Sequence, residues 1–231
     1  MLQLQDVHAY YGDSHILKGV SMEIRRGELV TLLGRNGAGK TTILRSIMGI
    51  LVPRDGTLIF NGAIILGKKP YQIASLGIGY VPEERAIFPS LSVSENLTLP
   101  AKKNVKGLWD LERIYNYFPV LKEKRNNKGS QLSGGEQQIL SIARVLTTDL
   151  KLLLLDEPTE GLAPGFIRQI AALLLELKKN AVTMLLVEQN TRFATEVADG
   201  HHILYNGQIC YTSSNEQFKE DREMQLRYLG I

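Results

Sequence analysis

The hydrophobic pattern of this chain changes twice along its length. Apolar and polar residues alternate over 2–7 and 16–24, which predicts two strands, and a third strand is predicted over 28–33 after a Gly-containing turn. Apolar residues then recur three and four positions apart over 43–51, the spacing of one helix face. We therefore expect a sheet at the start of the chain, followed by a helix that begins near Gly39.

The pattern differs between residues 84 and 150, where strand-like alternation disappears. Apolar spacing there predicts helices over 92–99, 108–118 and 135–146. The charged run at 122–128 mixes basic residues with a Glu and two Asn, and we interpret it as a solvated helix end. This part of the chain is thus predicted to be an inserted helical subdomain.

Continuous apolar runs return after residue 150. The segments 152–155 and 181–187 are typical of parallel strands buried on both faces, and 166–179 between them predicts an amphipathic helix. A hairpin over 202–212 and a final helix over 216–229 complete the pattern. Strand–helix–strand order of this kind predicts an α/β fold with a mainly parallel sheet.

Length and composition fit one domain over residues 1–231, with a core formed by 1–83 and 151–231 and the helical subdomain formed by 84–150. The net charge of +3 is too small and too dispersed to predict a nucleic-acid partner. A single cysteine, Cys210, excludes an internal disulfide and a cysteine-ligated zinc site. Because no apolar run approaches the roughly 20 residues of a membrane span and the first residues alternate like a strand, we expect a cytoplasmic protein.

A phosphate-binding loop joins the third strand to the first helix. Glycines there allow backbone N–H groups to converge on an anion, and the helix N-terminus adds a favourable dipole. In such a loop Lys40 reaches the β- and γ-phosphates, and the hydroxyl of Thr41 coordinates Mg²⁺. The predicted ATP-binding residues are Gly34, Asn36, Gly37, Ala38, Gly39, Lys40, Thr41 and Thr42.

Two adjacent acidic residues follow the apolar run 152–155. Asp156 would emerge at the carboxyl end of a buried strand beside the phosphates, where a carboxylate suits Mg²⁺. Glu157 would then lie where an attacking water is polarised, as a general base that contributes roughly 10²–10⁴ in rate. The preceding leucines and the following Pro158 argue against a merely solvated strand end.

A second anion-binding segment, Leu132-Ser133-Gly134-Gly135-Glu136, opens the helix predicted over 135–146. A Ser followed by two Gly at a helix start combines free N–H groups, a hydroxyl and a positive dipole end. One ATP does not need two such sites on one chain. We therefore expect a dimer in which this segment covers the γ-phosphate of an ATP that the partner holds.

These motifs make the chain similar to the ATPase subunits of ATP-binding cassette (ABC) transporters along essentially its whole length. The matching segments are GRNGAGKTT (34–42), LSGGEQQ (132–138) and LLLLDEP (152–158), and Tyr11 matches the family's adenine-stacking aromatic residue. The resemblance implies a P-loop NTPase core with an antiparallel β-subdomain and an inserted helical subdomain. It also implies an ATPase that holds ATP between two such domains.

Three positions depart from the commonest family pattern. Glu83 stands where many members have Gln, Ala163 where many have Asp, and Gln189 where many have a switch His. A Gln cannot take up a proton near neutral pH, although it can donate a hydrogen bond to a phosphate oxygen or a water. We expect Gln189 to act at the catalytic switch position and Glu83 to contribute to the Mg²⁺ site.

The segments around these departures are similar to the second ATPase of branched-chain amino acid importers, the LivF type. They are YVPEERAIFPSLSVSEN (80–96), DEPTEGLAP (156–164) and LLVEQN (185–190), whereas YYGDSHILKGVS (10–21) also resembles the urea importer ATPase. The resemblance implies a heterodimer with a different ATPase, a homodimer being the other possibility. It further implies two membrane permease subunits and an extracellular or periplasmic solute-binding protein, with the chain peripheral on the inner membrane face.

Two other function classes were open on the sequence. A soluble ABC ATPase that acts on DNA or ribosomes would usually carry two cassettes or a long coiled-coil insertion, and neither fits in 231 residues. A nucleotide-binding module that barely hydrolyses ATP would not need Lys40, Asp156 and Glu157 intact. The sequence therefore favours a transport motor.

Overall fold

Two β-sheets organise the protein in the computed structural model, which describes residues 1–100 and 107–230. Four strands form an antiparallel sheet and six form a second, mainly parallel sheet. The strands are β1 (Leu2–Tyr11), β2 (Ser14–Ile24), β3 (Leu29–Leu33), β4 (Asp55–Phe60), β5 (Ala63–Ile64), β6 (Ile78–Val81), β7 (Leu152–Asp156), β8 (Thr183–Glu188), β9 (Gly200–Tyr205) and β10 (Gln208–Ser214).

The described ranges also contain ten α-helices, a 3₁₀-helix at Gly129–Gln131 and a π-helical turn at Gln225–Leu229. None of the helices in these ranges is both long enough and apolar enough to cross a bilayer. The α-helices are α1 (Lys40–Ile47), α2 (Pro70–Ser75), α3 (Val93–Thr98), α4 (Leu111–Tyr117), α5 (Pro119–Glu123), α6 (Gly134–Leu146), α7 (Pro164–Lys179), α8 (Thr191–Val197), α9 (Asn215–Glu220) and α10 (Arg222–Met224).

The six-stranded sheet has the order β10-β9-β3-β8-β7-β6, and only the β9–β10 pair is antiparallel. In a parallel sheet the carboxyl ends of neighbouring strands meet at one edge, and ligands bind in the crevice outside that edge. Here β3, β8 and β7 are adjacent, so the ends of these three strands lie side by side. This arrangement confirms the predicted α/β fold with a mainly parallel sheet.

Strand alternation divides the core into two layers on either side of this sheet. Leu153 and Leu155 of β7 face a cluster that includes α6 and α7, whereas Leu152 and Leu154 face a cluster that includes α1 and the antiparallel sheet. All four leucines are fully buried. The continuous apolar run was therefore correctly interpreted as a strand covered on both faces.

Between residues 84 and 150 the described chain contains helices and a single isolated bridge, between Ser92 and Lys128, but no strand. The predicted helix over 108–118 begins only at Leu111, because Asp110 caps it by accepting a hydrogen bond from the N–H of Arg113. A separate helix, α5, follows at once and starts on Pro119.

The single helix predicted over 216–229 is wrong. The structure divides this segment into α9, α10 and the π-helical turn. Asp221 interrupts it with φ −90° and ψ 77°, and its side chain caps α10 by accepting a hydrogen bond from the N–H of Met224. A short Asp side chain competes in this way with a continuous helix.

Candidate nucleotide site

The Gly-rich loop lies between the end of β3 and the start of α1, at the carboxyl edge of the parallel sheet. Gly37 has φ 77° and Gly39 has φ 109°, backbone conformations that residues with a Cβ rarely adopt. The first three residues of α1, Lys40, Thr41 and Thr42, line the cleft, and the first N–H groups of a helix have no partner within it. The loop is therefore shaped to receive an anion.

Lys40 is almost completely buried and points back into the loop. Its Nζ donates hydrogen bonds to the carbonyl oxygens of Gly34 at 2.9 Å and Arg35 at 3.3 Å. Gly34 is required here for space, since an added Cβ would come within 2.5 Å of the Leu204 carbonyl oxygen. Ala38 closes the loop through its N–H, which donates to the Arg35 carbonyl oxygen.

A cleft of about 420 Å³ opens above this loop. Ten of the predicted site residues line it: Tyr11, Asn36, Gly37, Gly39, Lys40, Thr41, Thr42, Glu83, Glu157 and Gln189. Glu160 and Ile16, which the sequence did not single out, also line it. Residues 132–136 are not among the lining residues, so the second anion-binding segment lies outside this cleft.

Asp156 is fully buried at the end of β7 and touches the loop helix directly. The Thr41 hydroxyl donates to one carboxylate oxygen at 3.2 Å, and the Tyr80 hydroxyl donates to the other at 3.1 Å. Burial, together with smaller effects of the charges of Glu157 and Glu83, raises the pKa of Asp156 to about 6 despite these two hydrogen bonds. A desolvated carboxylate of this kind suits a nearby cation.

The donor set around Asp156 fits Mg²⁺ rather than a metal held by protein ligands alone. No group of three His, Cys, Asp or Glu side chains capable of holding a metal occurs in residues 1–100 and 107–230. Mg²⁺ is usually bound through one or two carboxylates together with substrate phosphates and waters. One carboxylate and one hydroxyl beside a phosphate loop match that requirement.

Glu157 contacts both Lys40 and Gln189 in the cleft. Its carboxylate lies 3.2 Å from Lys40 Nζ and accepts a 2.5 Å hydrogen bond from the side-chain amide of Gln189. Its backbone has φ 44°, an unusual value for a residue with a side chain, and its N–H donates to the Val187 carbonyl oxygen at 3.0 Å. The residue after β7 and the residue after β8 are thereby joined.

The second anion-binding segment starts α6 in the predicted manner. Ser133 caps the helix by accepting from the N–H of Glu136, and Glu136 accepts from the N–H of Ser133 in return. Lys124 donates a further 2.7 Å hydrogen bond to Glu136. Burial alone would raise the pKa of Glu136, but the bonds from Lys124 and Ser133 hold it below its ordinary value. The run 122–128 contains the end of α5 and is largely exposed, as predicted for a solvated helix end, and Lys124 within it also pairs with Glu136.

Comparison with known proteins decides the family. The ABC transporter family model matches residues 17–160, which is more than half of the chain. The chain belongs to the ABC transporter ATP-binding family. It is the ATPase subunit of an ABC transporter, and it binds nucleotide.

Similar proteins include transport ATPases with different cargoes. This ABC ATPase is 38% identical, over the whole of both chains, to the high-affinity branched-chain amino acid transport ATP-binding protein BraG of Pseudomonas aeruginosa. It is 34% identical to the probable branched-chain amino acid transport ATP-binding protein LivF of Archaeoglobus fulgidus, covering 100% of this chain and 99% of that one. It is also 31% identical to the lipopolysaccharide export ATP-binding protein LptB of Haemophilus influenzae, over 100% and 97% of the two chains.

Solved ABC cassettes share the fold. A nucleotide-free cassette matches with a TM-score of 0.85 and 25% identity, over 99% of this chain and 97% of that one. A dimeric cassette in a post-hydrolysis state, bound to ADP and Pi, matches with a TM-score of 0.83 and 25% identity, over 93% and 99%. Together with the two sheets, these structures confirm the P-loop NTPase fold.

Several residues around the ABC sites were not predicted from the sequence. The Arg85 guanidinium lies against Gly134, where an added Cβ would come within 2.9 Å of one of its nitrogens, and the Phe166 ring lies against Gly135. A hydrogen bond with Glu157 raises the pKa of Glu160, and the charges of Glu157 and Glu83 add to this. These contacts join residues at least 12 positions apart in the chain, so no local sequence pattern predicts them: Arg85 with Gly134, Phe166 with Gly135 and Lys124 with Glu136.

Proposed function

We propose that this subunit hydrolyses Mg²⁺-ATP in composite sites shared with a second ATPase, and so powers import of branched-chain amino acids through separate permeases. The observation that carries the composite site is spatial. Residues of the Gly-rich loop, Glu157 and Gln189 line one cleft, and Asp156 is hydrogen-bonded to Thr41 of its lining, whereas residues 132–136 do not line it. A segment that is able to bind an anion but does not line its own chain's cleft suits the phosphate of another chain.

Each residue of the cleft has a role that follows from its chemistry. The ring of Tyr11 would stack on adenine, and Lys40 with the loop N–H groups would hold the β- and γ-phosphates. Thr41, Asp156 and, at the cleft edge, Glu83 would hold Mg²⁺, which would neutralise charge that develops on the phosphates.

Glu157 would accept a proton from the attacking water, and Gln189 would orient it. Lys40 Nζ lies 3.2 Å from the Glu157 carboxylate. When phosphate competes for Lys40, the Glu157 carboxylate becomes available to water. Gln189 donates to the same carboxylate and does not titrate near neutral pH, so it can direct the water without changing charge.

Assembly with a second, different ATPase is the form we favour. Gln189, Glu83 and Ala163 depart from the common pattern, and such departures are tolerated where the partner supplies a complete site. A homodimer is the alternative form. A dimeric relative among the solved cassettes supports pairing of either kind.

The permease surface is proposed at a groove of about 890 Å³ that is lined in part by the 83–88 segment. Glu84 and Ala86 line it from this segment, Arg144 lines it from α6, and the ring of Tyr71 is 74% exposed there. Apolar surface bordered by charge is typical of a protein docking site. Binding there would hold the ATPase on the cytoplasmic face of the membrane, with a solute-binding protein acting outside it.

Cargo identity rests on likeness to BraG and LivF, and the urea importer ATPase is the second candidate. The test is reconstitution of the full transporter in vesicles, with permeases and solute-binding protein encoded beside it. Leucine is expected to stimulate ATP hydrolysis and to accumulate, whereas urea is not. Stimulation by urea alone would favour the second candidate. Purification with DNA or ribosomes and no permease would favour a non-transport ABC ATPase.

A further inference from the structure

A buried carboxylate, Glu188, lies directly behind the cleft and has no part in nucleotide binding as described above. Glu188 ends β8, and its side chain has no more than a few per cent of its surface exposed. Burial raises the pKa of this carboxyl, although hydrogen bonds from Thr159, Asn190 and Gln189 oppose the shift. Loss of a hydrogen-bond donor to a desolvated carboxylate costs free energy, so the hydrogen bonds from those three partners are expected to persist.

The two oxygens of Glu188 bind different loops. Its Oε1 accepts a 2.7 Å hydrogen bond from the hydroxyl of Thr159, two residues after Glu157. Its Oε2 accepts from the backbone N–H groups of Gln189 at 3.2 Å and Asn190 at 3.3 Å. One side chain thus fixes the turn after β7 relative to the turn after β8.

The residues on either side of Glu188, Val187 and Gln189, also join the turn after β7 to the end of β8. The Val187 carbonyl oxygen accepts from the Glu157 N–H, and the Gln189 side chain donates to the Glu157 carboxylate. Glu157 holds a positive φ of 44°. Such a conformation costs on the order of 1–3 kcal/mol and persists only where the surroundings over-determine it. Three consecutive residues of one strand end supply those constraints.

We propose that Glu188, acting with Thr159, is a positioning residue for hydrolysis. Its carboxylate holds Gln189 and Glu157 at the spacing needed to direct water, while it touches neither nucleotide nor water itself. The inference rests on the proposed roles of Glu157 and Gln189.

Thr159→Val tests the connection, since valine keeps the shape of threonine and removes the hydroxyl. Steady-state ATP hydrolysis by the full-length chain is expected to fall about tenfold to 100-fold in kcat, the range that small misplacement of a catalytic group produces. KM and the affinity for a fluorescent ATP analogue are expected to stay within about twofold. Thr159→Ser, which restores the hydroxyl, is expected to recover most of the loss.

Thr183→Val is the matched control. Thr183 lies at the other end of β8, is equally buried, and also uses its hydroxyl, as acceptor for the Gly27 N–H at 2.9 Å. It is expected to lower the thermal unfolding midpoint without a selective loss of kcat. A fall in kcat no larger for Thr159→Val than for Thr183→Val would overturn the proposal, as would an equal loss of nucleotide affinity.

A Glu188→Ala background identifies the route of the effect. If Thr159 acts through Glu188, then Thr159→Val causes no further fall in kcat in that background, whereas additive falls contradict the proposal. Glu188→Gln, which keeps an acceptor oxygen, is expected to retain far more activity than Glu188→Ala and decides the matter if Thr159→Val does not fold. Normal hydrolysis by Glu157→Gln would instead refute the proposed role of Glu157, whatever these variants show.

Discussion

At the scale of single residues, the protein buries the carboxyl group of Asp156, and burial disfavours the charged form of that group. Burial raises the pKa of Asp156 from its ordinary value of 3.8 to about 6. Between those pH values the unfolded chain releases the proton and the folded chain keeps it. Stability is therefore lost as the pH rises through this window, and above it the loss amounts to as much as about 3 kcal/mol.

Asp156→Asn is accordingly expected to raise the free energy of unfolding of the nucleotide-free protein at pH 8, and not at pH 4, while it removes Mg²⁺-dependent hydrolysis. Denaturant unfolding at both pH values measures the first effect. Asp13→Asn, at an exposed turn, serves as the control and should change neither quantity. Equal stabilisation at pH 4 and pH 8 would contradict the assignment of the raised pKa.

Most residues that line the cleft could be predicted from the sequence, because each belongs to a short segment with its own chemical pattern. The glycines around Lys40 and the acids after residues 152–155 are local signals. Other contacts have no local signal in the sequence: those of Thr159 with Glu188, Lys124 with Glu136 and Arg85 with Gly134. They join positions 10 to 50 residues apart, and only the folded chain brings those positions together.

At the scale of elements, the start of α6 depends on the start of α7. Gly135 has no room for a Cβ, because the ring of Phe166 already occupies that space. Gly135→Ala is expected to destabilise the protein by about 1–3 kcal/mol, the usual cost of overpacking. Equilibrium unfolding in denaturant measures the change.

Gly165→Ala is the matched control for that substitution. Gly165 precedes Phe166, lies in α7, and has no atom within 4 Å of an added Cβ. Its replacement is expected to be neutral or to stabilise by up to about 1 kcal/mol, because glycine is unfavourable in helices. Equal effects of the two substitutions would show that Phe166 does not constrain the start of α6.

Element boundaries were harder to predict than element types. Apolar spacing identified α1, α6 and α7, but it could not place the exact start of α4 or the break at Asp221. In both cases an aspartate side chain binds a backbone N–H three residues on, at Arg113 and at Met224. Such capping ends or starts a helix through one polar side chain. It leaves the spacing of the apolar residues unchanged, so hydrophobic periodicity does not reveal the boundary.

At the scale of the whole molecule, ATP hydrolysis in composite sites requires a second ATPase subunit. The purified chain alone is expected to hydrolyse ATP slowly and to accelerate when the second ATPase subunit is added, because Gln189 replaces the common switch His and a different partner would supply a complete site. Titration of one subunit against the other with a coupled phosphate assay measures this. Rapid hydrolysis by the isolated homodimer would contradict the heterodimer.

Glu157→Gln tests the central claim most directly, because it removes the proposed base and keeps the shape of the side chain. We expect ATP binding to be unchanged, hydrolysis to fall by roughly 10²–10⁴, and a closed dimer to accumulate with ATP. Glu123→Gln, on the exposed surface of α5, is the control. Turnover by Glu157→Gln equal to that of the native subunit would contradict the account.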